Sequence, residues 1–126
     1  MTMAPKKTKT AKAANIAFDM EAMRAHAGDA ARLLKALANE KRLQVLCLLA
    51  EGERSVGEIN AMLDLSQSAL SQHLAVLREE GLVRTRREAQ VIYYSLMPGP
   101  AAQVMQTLHG IYCSTAPARA KKKRAA

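Results

Sequence analysis

Residues 65–96 of this chain read LSQSALSQHLAVLREEGLVRTRREAQVIYYSL and predict a helix followed by a β-hairpin. Ser66 is a good N-cap for the helix, and Gly81 is suited to end it. Beyond the helix, the strand-like runs LVRTRR and QVIYYSL flank a short polar turn at Glu88-Ala89, which is the pattern of a hairpin. The segments on either side of this stretch decide which fold it belongs to.

The residues just upstream predict a second short helix. Residues 55–58 read SVGE, the S-x-x-E pattern of a capping box, and the helix that they open is expected to end near Leu63. Asp64, Leu65 and Ser66 then form a tight connection to the next helix. Two short helices joined by three residues and followed by a β-hairpin are the order of elements in a winged helix-turn-helix.

Three further helices complete a mainly α fold of five helices with one small β-hairpin as the wing. Apolar residues at three- and four-residue steps predict a first helix over about residues 19–37. Asn39 is suited to cap a second helix over residues 40–51, whose apolar residues lie nearly all round and mark it as central. A last helix is expected over residues 101–113.

Basic residues are concentrated at the two ends of the chain. The formal net charge is +8, but residues 1–15 and 116–126 hold nine of the 19 Lys and Arg residues and no acidic residue. We therefore predict disordered basic tails at 1–15 and 116–126. Between them, residues 16–115 are predicted to form one winged-helix domain for DNA binding and dimerisation.

The helix that follows Ser66 has two chemically different sides. Its leucines share one side of a helical wheel and are expected to face the core. The opposite side carries hydroxyls and amides, which suit base edges and phosphates in a major groove, although a polar helix surface without a ligand is the alternative. The residues predicted to contact DNA from this helix are Gln67, Ser68, Ser71 and Gln72.

The hairpin adds positive charge next to that helix. Arg84, Arg86 and Arg87 lie within four residues, an arrangement suited to the DNA backbone or a minor groove, with a solvated turn as the alternative. His73, at the flank of the core, is a further candidate for DNA contact, but its position favours a packed, hydrogen-bonded histidine. Helix and hairpin together predict binding of double-stranded DNA.

Composition argues against several other classes of function. Aromatic residues make up 3% of the chain, too few for a platform that stacks single-stranded bases. No apolar run approaches bilayer length and no secretory signal is recognised, so we expect a cytoplasmic protein without a membrane partner. In a reducing compartment, Cys47 and Cys113 favour a reactive or metal-binding role over a permanent disulfide. A C-x-x-C motif is absent, so a thiol enzyme is not expected.

The sequence resembles the ArsR/SmtB family of winged-helix repressors. The resemblance covers about residues 29–113 and rests on the segments LLKALANEKRLQVLCLL, EGERSVGEI, LSQSALSQHLAVLREEGLV and YYSL. It implies a homodimer formed through the first and last helices, which binds an inverted-repeat operator and leaves it when an inducer binds. It also implies that the DNA-contacting positions are Gln67, Ser68, Ser71 and Gln72.

Two metal sites of this family are missing from the chain. One uses a cysteine cluster at the start of the third helix, where this chain reads SVGEI at residues 55–59. The other uses Asp and His residues on the last helix, where residues 98–100 read PGP. We therefore expect no metal and no cofactor. The remaining zinc alternative combines Cys47 with His109 and Cys113, which lie four residues apart on the last helix.

The segments VLCLLAEGE, SVGE and LHGIYC also resemble the family's dithiol subgroup, which senses persulfides and oxidants. That subgroup has one cysteine on the second helix and one on the last. The resemblance implies that a low-molecular-weight persulfide or oxidant bridges Cys47 and Cys113 and releases operator DNA. Three alternatives stay open: two buried thiols that pack as small hydrophobes, a zinc-responsive repressor of the same fold, and an architectural nucleic-acid-binding protein.

Overall fold

The computed structural model of this chain describes residues 17–113. Both predicted tails, and the outermost residues of the predicted domain, lie outside this range. The described residues divide into two units, residues 17–31 and residues 32–113, and each is described by itself. None of the helices in residues 17–113 combines the length and hydrophobicity of a membrane-spanning segment.

The described residues form five helices and three strands, and the five predicted helices are confirmed with each end at or next to the expected residue. In chain order the elements are α1 Met20–Leu37, α2 Glu40–Glu51, β1 Arg54–Ser55, α3 Val56–Met62, α4 Gln67–Glu79, β2 Val83–Glu88, β3 Val91–Leu96 and α5 Pro100–Tyr112.

The predicted caps explain where the helices begin. The Asn39 side chain accepts hydrogen bonds from the backbone N–H groups of Lys41, at 2.9 Å, and Arg42, at 3.0 Å, and so starts α2. At α3 the Ser55 hydroxyl accepts from the Glu58 N–H at 3.1 Å, while the Ser55 N–H donates to the Glu58 carboxylate at 2.8 Å. The capping box predicted from S-x-x-E is therefore confirmed.

The wing is a three-stranded antiparallel sheet in the order β1-β3-β2. Strands β2 and β3 pair from Val83 opposite Leu96 to Glu88 opposite Val91, which confirms the predicted hairpin. Two details differ from the prediction. The turn is formed by the two residues between Glu88 and Val91, since Glu88 is still paired in the ladder. Strand β1, whose residue Arg54 lies opposite Tyr94, was not predicted because two residues are too short to show alternation.

The core of the second unit is built around one face each of α2 and α4. The predicted inward leucines of α4 are buried, and they pack with fully buried residues of α2 and α3. Full burial of one such side chain contributes about 1.5–3 kcal/mol. The largest fully buried side chains are those of Leu46, Ile59, Leu70, Leu77 and Val45.

Apolar side chains are also left exposed on the first and last helices. In the first unit, Met20 of α1 is 65% exposed. In the second unit, Ile111 and Tyr112 of α5 are 62% and 78% exposed. Large apolar side chains at this exposure are not covered by the unit that carries them, which is typical of surfaces that pack against another chain.

Replacing Ser55 with alanine should lower the free energy of unfolding by about 1 kcal/mol, because the Glu58 N–H loses its acceptor. Urea unfolding at a fixed protein concentration measures this loss. Ser71→Ala is the matched control, since Ser71 is exposed within α4, and it should change stability by less than about 0.5 kcal/mol. Equal losses in the two variants would contradict the capping role.

Candidate nucleic-acid interface and thiol groove

Helix α4 presents a polar face to solvent. The four residues predicted to contact DNA from this helix are all exposed, while Leu70, Leu74 and Leu77 are buried on the other side. Ser66 caps the helix by accepting from the Ala69 N–H at 3.1 Å. The exposed set, which we call the α4 face, consists of Gln67, Ser68, Ser71 and Gln72.

His73 lies beside this face but is engaged inside the protein. It is half-buried, and Nη1 of Arg42 approaches its Nδ1 at 3.4 Å. Because a guanidinium can only donate, Nδ1 is the acceptor and the neutral ring carries its proton on Nε2. Arg42 also donates from Nε to the Ala36 carbonyl at 2.6 Å. Burial, together with the positive charge of Arg42, lowers the pKa of His73 below 6.5.

A shallow groove of about 590 Å³ runs between α4 and the sheet. One of its lining residues is a further cationic candidate for DNA contact. Ser71 and Arg78 of α4 line one side, and Ile92 and Tyr94 of β3 line the other. Arg78 was not among the predicted contacts. Arg78 follows Ser71 by seven residues, so the two lie on one face of the helix. A helical wheel of the sequence therefore indicates Arg78 as a further residue of this face.

The three wing arginines are not equivalent. All three are exposed, and 50% of the Arg86 side chain is accessible to solvent. Arg86 donates from Nη2 and Nε to the Glu53 carboxylate at 2.8 and 3.1 Å, and from Nη1 to Glu88 at 3.2 Å. Its guanidinium also lies 4.6 Å from the centre of the Tyr93 ring.

These contacts make Arg86 part of the wing's own structure. The hydrogen bonds that Arg86 donates to Glu53 and then to Glu88 raise the pKa of Arg86, and those to Glu53 lower the pKa of Glu53. All three guanidinium nitrogens already face an acceptor. A DNA contact by Arg86 stays a prediction, and Arg84 and Arg87 are the better placed of the three.

Both cysteines open onto one groove. Cys47 lies on α2 and Cys113 caps the end of α5, where its N–H donates to the His109 carbonyl at 2.8 Å. Both are exposed, so the alternative of two buried thiols is wrong. Helix α2 buries Val45 and Leu46, and the next side chain along the helix therefore points outward.

The thiol groove, as we call the space between α2 and α5 that both cysteines line, has a volume of about 890 Å³. Most of its walls are apolar. Beside the two cysteines it is lined by Leu43, Gln44, Ala50, Glu51, Leu96, Ala102, Met105, Gln106, Leu108, His109 and Tyr112.

The surroundings of Cys47 make its ionisation harder. Removal of water by neighbouring atoms raises the pKa of the Cys47 thiol, and the negative charges of Cys113 and Glu51 raise it further. A thiol with a raised pKa forms less of the nucleophilic thiolate at neutral pH.

The zinc alternative finds no support in the geometry of the described residues. Cys47, His109 and Cys113 all line the thiol groove. However, residues 17–113 contain no group of three or more His, Cys, Asp or Glu side chains placed to hold one metal ion.

Comparison with known proteins identifies the family to which this fold belongs. The profile described as "Bacterial regulatory protein, arsR family" matches residues 39–85, from the cap of α2 into β2. The transcriptional activator HlyU of Vibrio cholerae is 50% identical over 96 residues, which are 76% of this chain and 89% of that protein.

Two solved structures show the same architecture. The transcriptional repressor BigR of Xylella fastidiosa superposes with a TM-score of 0.72 at 43% identity, covering 77% of this chain and 99% of that one. The homodimeric winged helix-turn-helix DNA-binding domain Mb0332 of Mycobacterium bovis gives a TM-score of 0.63 at 34% identity, covering 76% of this chain and 89% of that one.

The fold and the exposed α4 face define a winged helix-turn-helix protein that regulates transcription by binding DNA. The chain belongs to the ArsR family of bacterial regulatory proteins. The resemblance read from the sequence is thereby confirmed. The relatives are named as regulators of transcription, so the expectation that the chain is not an enzyme agrees with them.

Replacing His73 with glutamine should remove part of the pH dependence of stability. The folded protein holds the pKa of His73 below 6.5, so as the pH falls below that value the unfolded chain takes up a proton that the folded chain resists. The free energy of unfolding of the wild type therefore decreases with falling pH until the folded pKa is passed. Urea unfolding between about pH 8 and about pH 5 measures the slope.

The control for this comparison is Gln103→Ala, an exposed neutral position on α5. It should keep the wild-type slope, whereas His73→Gln should flatten it. Identical slopes in His73→Gln and the wild type would show that protonation of His73 is not linked to folding.

Proposed function

We propose that this chain is a homodimeric repressor that binds an inverted-repeat operator and leaves it when a persulfide or oxidant links Cys47 to Cys113. The observation that carries the proposal is the thiol groove, which is lined by two exposed cysteines, one from α2 and one from α5. They are the only cysteines in the chain, so a bridge within one chain has one possible connectivity.

The redox chemistry requires no group beyond the two thiols and the sulfur donor. The Cys113 thiolate attacks the outer sulfur of R–S–S–H, the S–S bond breaks, and R–SH leaves. The Cys47 thiolate then attacks the resulting persulfide on Cys113, forms the disulfide and expels hydrogen sulfide. The two steps balance equally well with the roles of the two cysteines exchanged.

A bridge between α2 and α5 is suited to change DNA binding because α2 contacts both α5 and α4. Drawing α2 towards α5 alters the packing surface on which α4 rests. In a dimer the two α4 helices must enter major grooves about one DNA turn apart, so a small change in their spacing weakens binding. A coupling of about 1–3 kcal/mol is enough for a useful switch.

Dimerisation is supported by the exposed apolar side chains of the first and last helices. Met20 and Met23 of α1, and Ile111 and Tyr112 of α5, are all exposed. Burying such side chains against a second copy contributes about 25 cal/mol for each Å² removed from water. The similar domain from Mycobacterium bovis is described as homodimeric, which agrees with this assignment.

The α4 face would read the operator, and the exposed wing arginines would hold its backbone. Hydroxyl and amide groups on α4 can bond to both base edges and phosphates. Arg84 and Arg87 are exposed and would neutralise phosphates in a salt-dependent way. The relatives are named as transcriptional regulators, which favours this role over a purely architectural one.

Cys47→Ser should make the protein insensitive to persulfide. The reduced variant should bind operator DNA as the wild type does, because the exposed Cys47 side chain makes no contact in the core. After persulfide treatment the wild type should lose at least about fivefold in affinity, while the variant should not. Mobility-shift assays on reduced and treated protein make the comparison.

Intact mass spectrometry on the same samples is the control. It should show a covalent link in the treated wild type and at most a persulfide on Cys113 in Cys47→Ser. Unchanged affinity of a wild type that has been shown to be bridged would refute the proposed switch. Release of Cys47→Ser from DNA on treatment would refute the pairing.

Arg84→Ala should weaken binding to all DNA sequences and reduce the dependence of log affinity on log salt by about 0.9, the value for one phosphate contact. Arg24→Ala removes the same charge from α1, where Arg24 pairs with Glu21, and should leave the slope unchanged. Fluorescence anisotropy at several salt concentrations measures both slopes. An unchanged slope for Arg84→Ala would exclude Arg84 from the phosphate contacts.

A further inference from the structure

We infer that the thiol groove selects sulfur donors whose carrier group is apolar and uncharged, and that Glu51 is a residue that determines this specificity. The carrier group is the organic part R of the donor R–S–S–H. The inference rests on the proposed function, because it concerns which persulfides reach the same two thiols.

The walls of the groove offer contacts to an apolar carrier. Leu43, Met105 and Leu108 line the space beside the two thiols. Each CH₂ group that a carrier buries against such side chains contributes about 0.8 kcal/mol. A volume of about 890 Å³ is within the size range of sites for small molecules.

The charge of the walls disfavours an anionic carrier. Among the described residues that line the groove there is no Lys or Arg, and Glu51 is the acidic one. A carrier with carboxylates therefore meets a like charge near Cys47 and finds no cation to pair with. Glu51 is four residues beyond Cys47 on α2, so the two lie on the same side of the helix and both line the groove.

The Glu51 carboxylate is held in place by an ion pair. Its Oε1 lies 2.8 Å from Nη2 of Arg54, and 64% of the Glu51 side chain is exposed. Pairing with Arg54 and contact with solvent reduce its repulsion, but Glu51 remains part of the groove wall. The positive charge of the whole chain would attract anions, so a preference for neutral carriers must come from the groove itself.

A matched pair of donors isolates the carrier charge. The hydropersulfides of N-acetylcysteine and of N-acetylcysteine amide share one reactive group and differ by one carboxylate. Each donor is mixed with the reduced full-length protein, and the rate of Cys47–Cys113 bridging is measured by quenching and intact mass spectrometry. To correct for intrinsic reactivity, this rate is divided by the rate at which the same donor reacts with a small free thiol. We expect the neutral donor to bridge the wild type about tenfold faster after this correction.

Two variants make the groove less negative, one by removing its acidic residue and the other by adding a basic residue. Glu51→Gln keeps an acceptor for Arg54 and should speed the anionic donor several-fold while leaving the neutral donor unchanged. Gln106→Lys places a cation on the wall and should remove or reverse the preference. Glu40→Gln is the matched control, because Glu40 lies at the other end of α2, about 16 Å along the helix, and does not line the groove.

The outcomes separate this inference from the proposed function. Equal corrected rates, or a faster anionic donor, would overturn the selectivity while the bridging reaction stands. A preference that persists unchanged in both Glu51→Gln and Gln106→Lys would overturn the role of groove charge. Failure of both donors to bridge the wild type would overturn the proposed function and this inference with it.

Discussion

The packing of α2 between α4 and α5 is the constraint on which the rest of the structure depends. Val45 and Leu46 are completely buried, and they fix the rotation of the helix about its axis. Since successive residues turn by about 100°, this rotation places Cys47 on the surface facing α5. The same residues that stabilise the core against α4 therefore also determine where the thiol lies. A change in the packing of α2 therefore affects both the core contact with α4 and the position of the Cys47 thiol.

The sequence predicted the parts of this fold that depend on local chemistry. Caps at Asn39 and Ser55 and the leucine spacing of α4 follow from hydrogen bonding and periodicity within a few residues, and the structure confirms them. Strand β1 was missed because its formation depends on Tyr94, about forty residues away. The state of Arg86 was missed for the same reason, since its partner Glu53 is distant in sequence.

In the candidate site, too, the features that depend on local sequence were predictable and those that depend on tertiary packing were not. That the α4 face would be exposed was predictable, because burial of the leucines leaves the other side to solvent. The thiols illustrate the opposite case. A helix that is apolar nearly all round does not show which of its sides stays open, and Cys47 was as compatible with the core as with the surface. The separation of the two cysteines in sequence does not determine the distance between them in the fold. Family resemblance predicted that they act as a pair, and tertiary packing brings them to one groove.

The end of α2 connects the thiol groove to the wing within three residues. Glu51 lines the groove, Gly52 ends the helix at a φ of 152° that favours glycine, and Glu53 pairs with Arg86 on β2. Because Gly52 allows the chain to turn abruptly, the helix passes directly into a loop that is tied to the wing at its next residue. A displacement of α2 at the groove therefore acts on the loop that holds Arg86, as well as on α4 through the core. The fold thus connects the helix that carries Cys47 to α4 through apolar packing and to the wing through an ion pair.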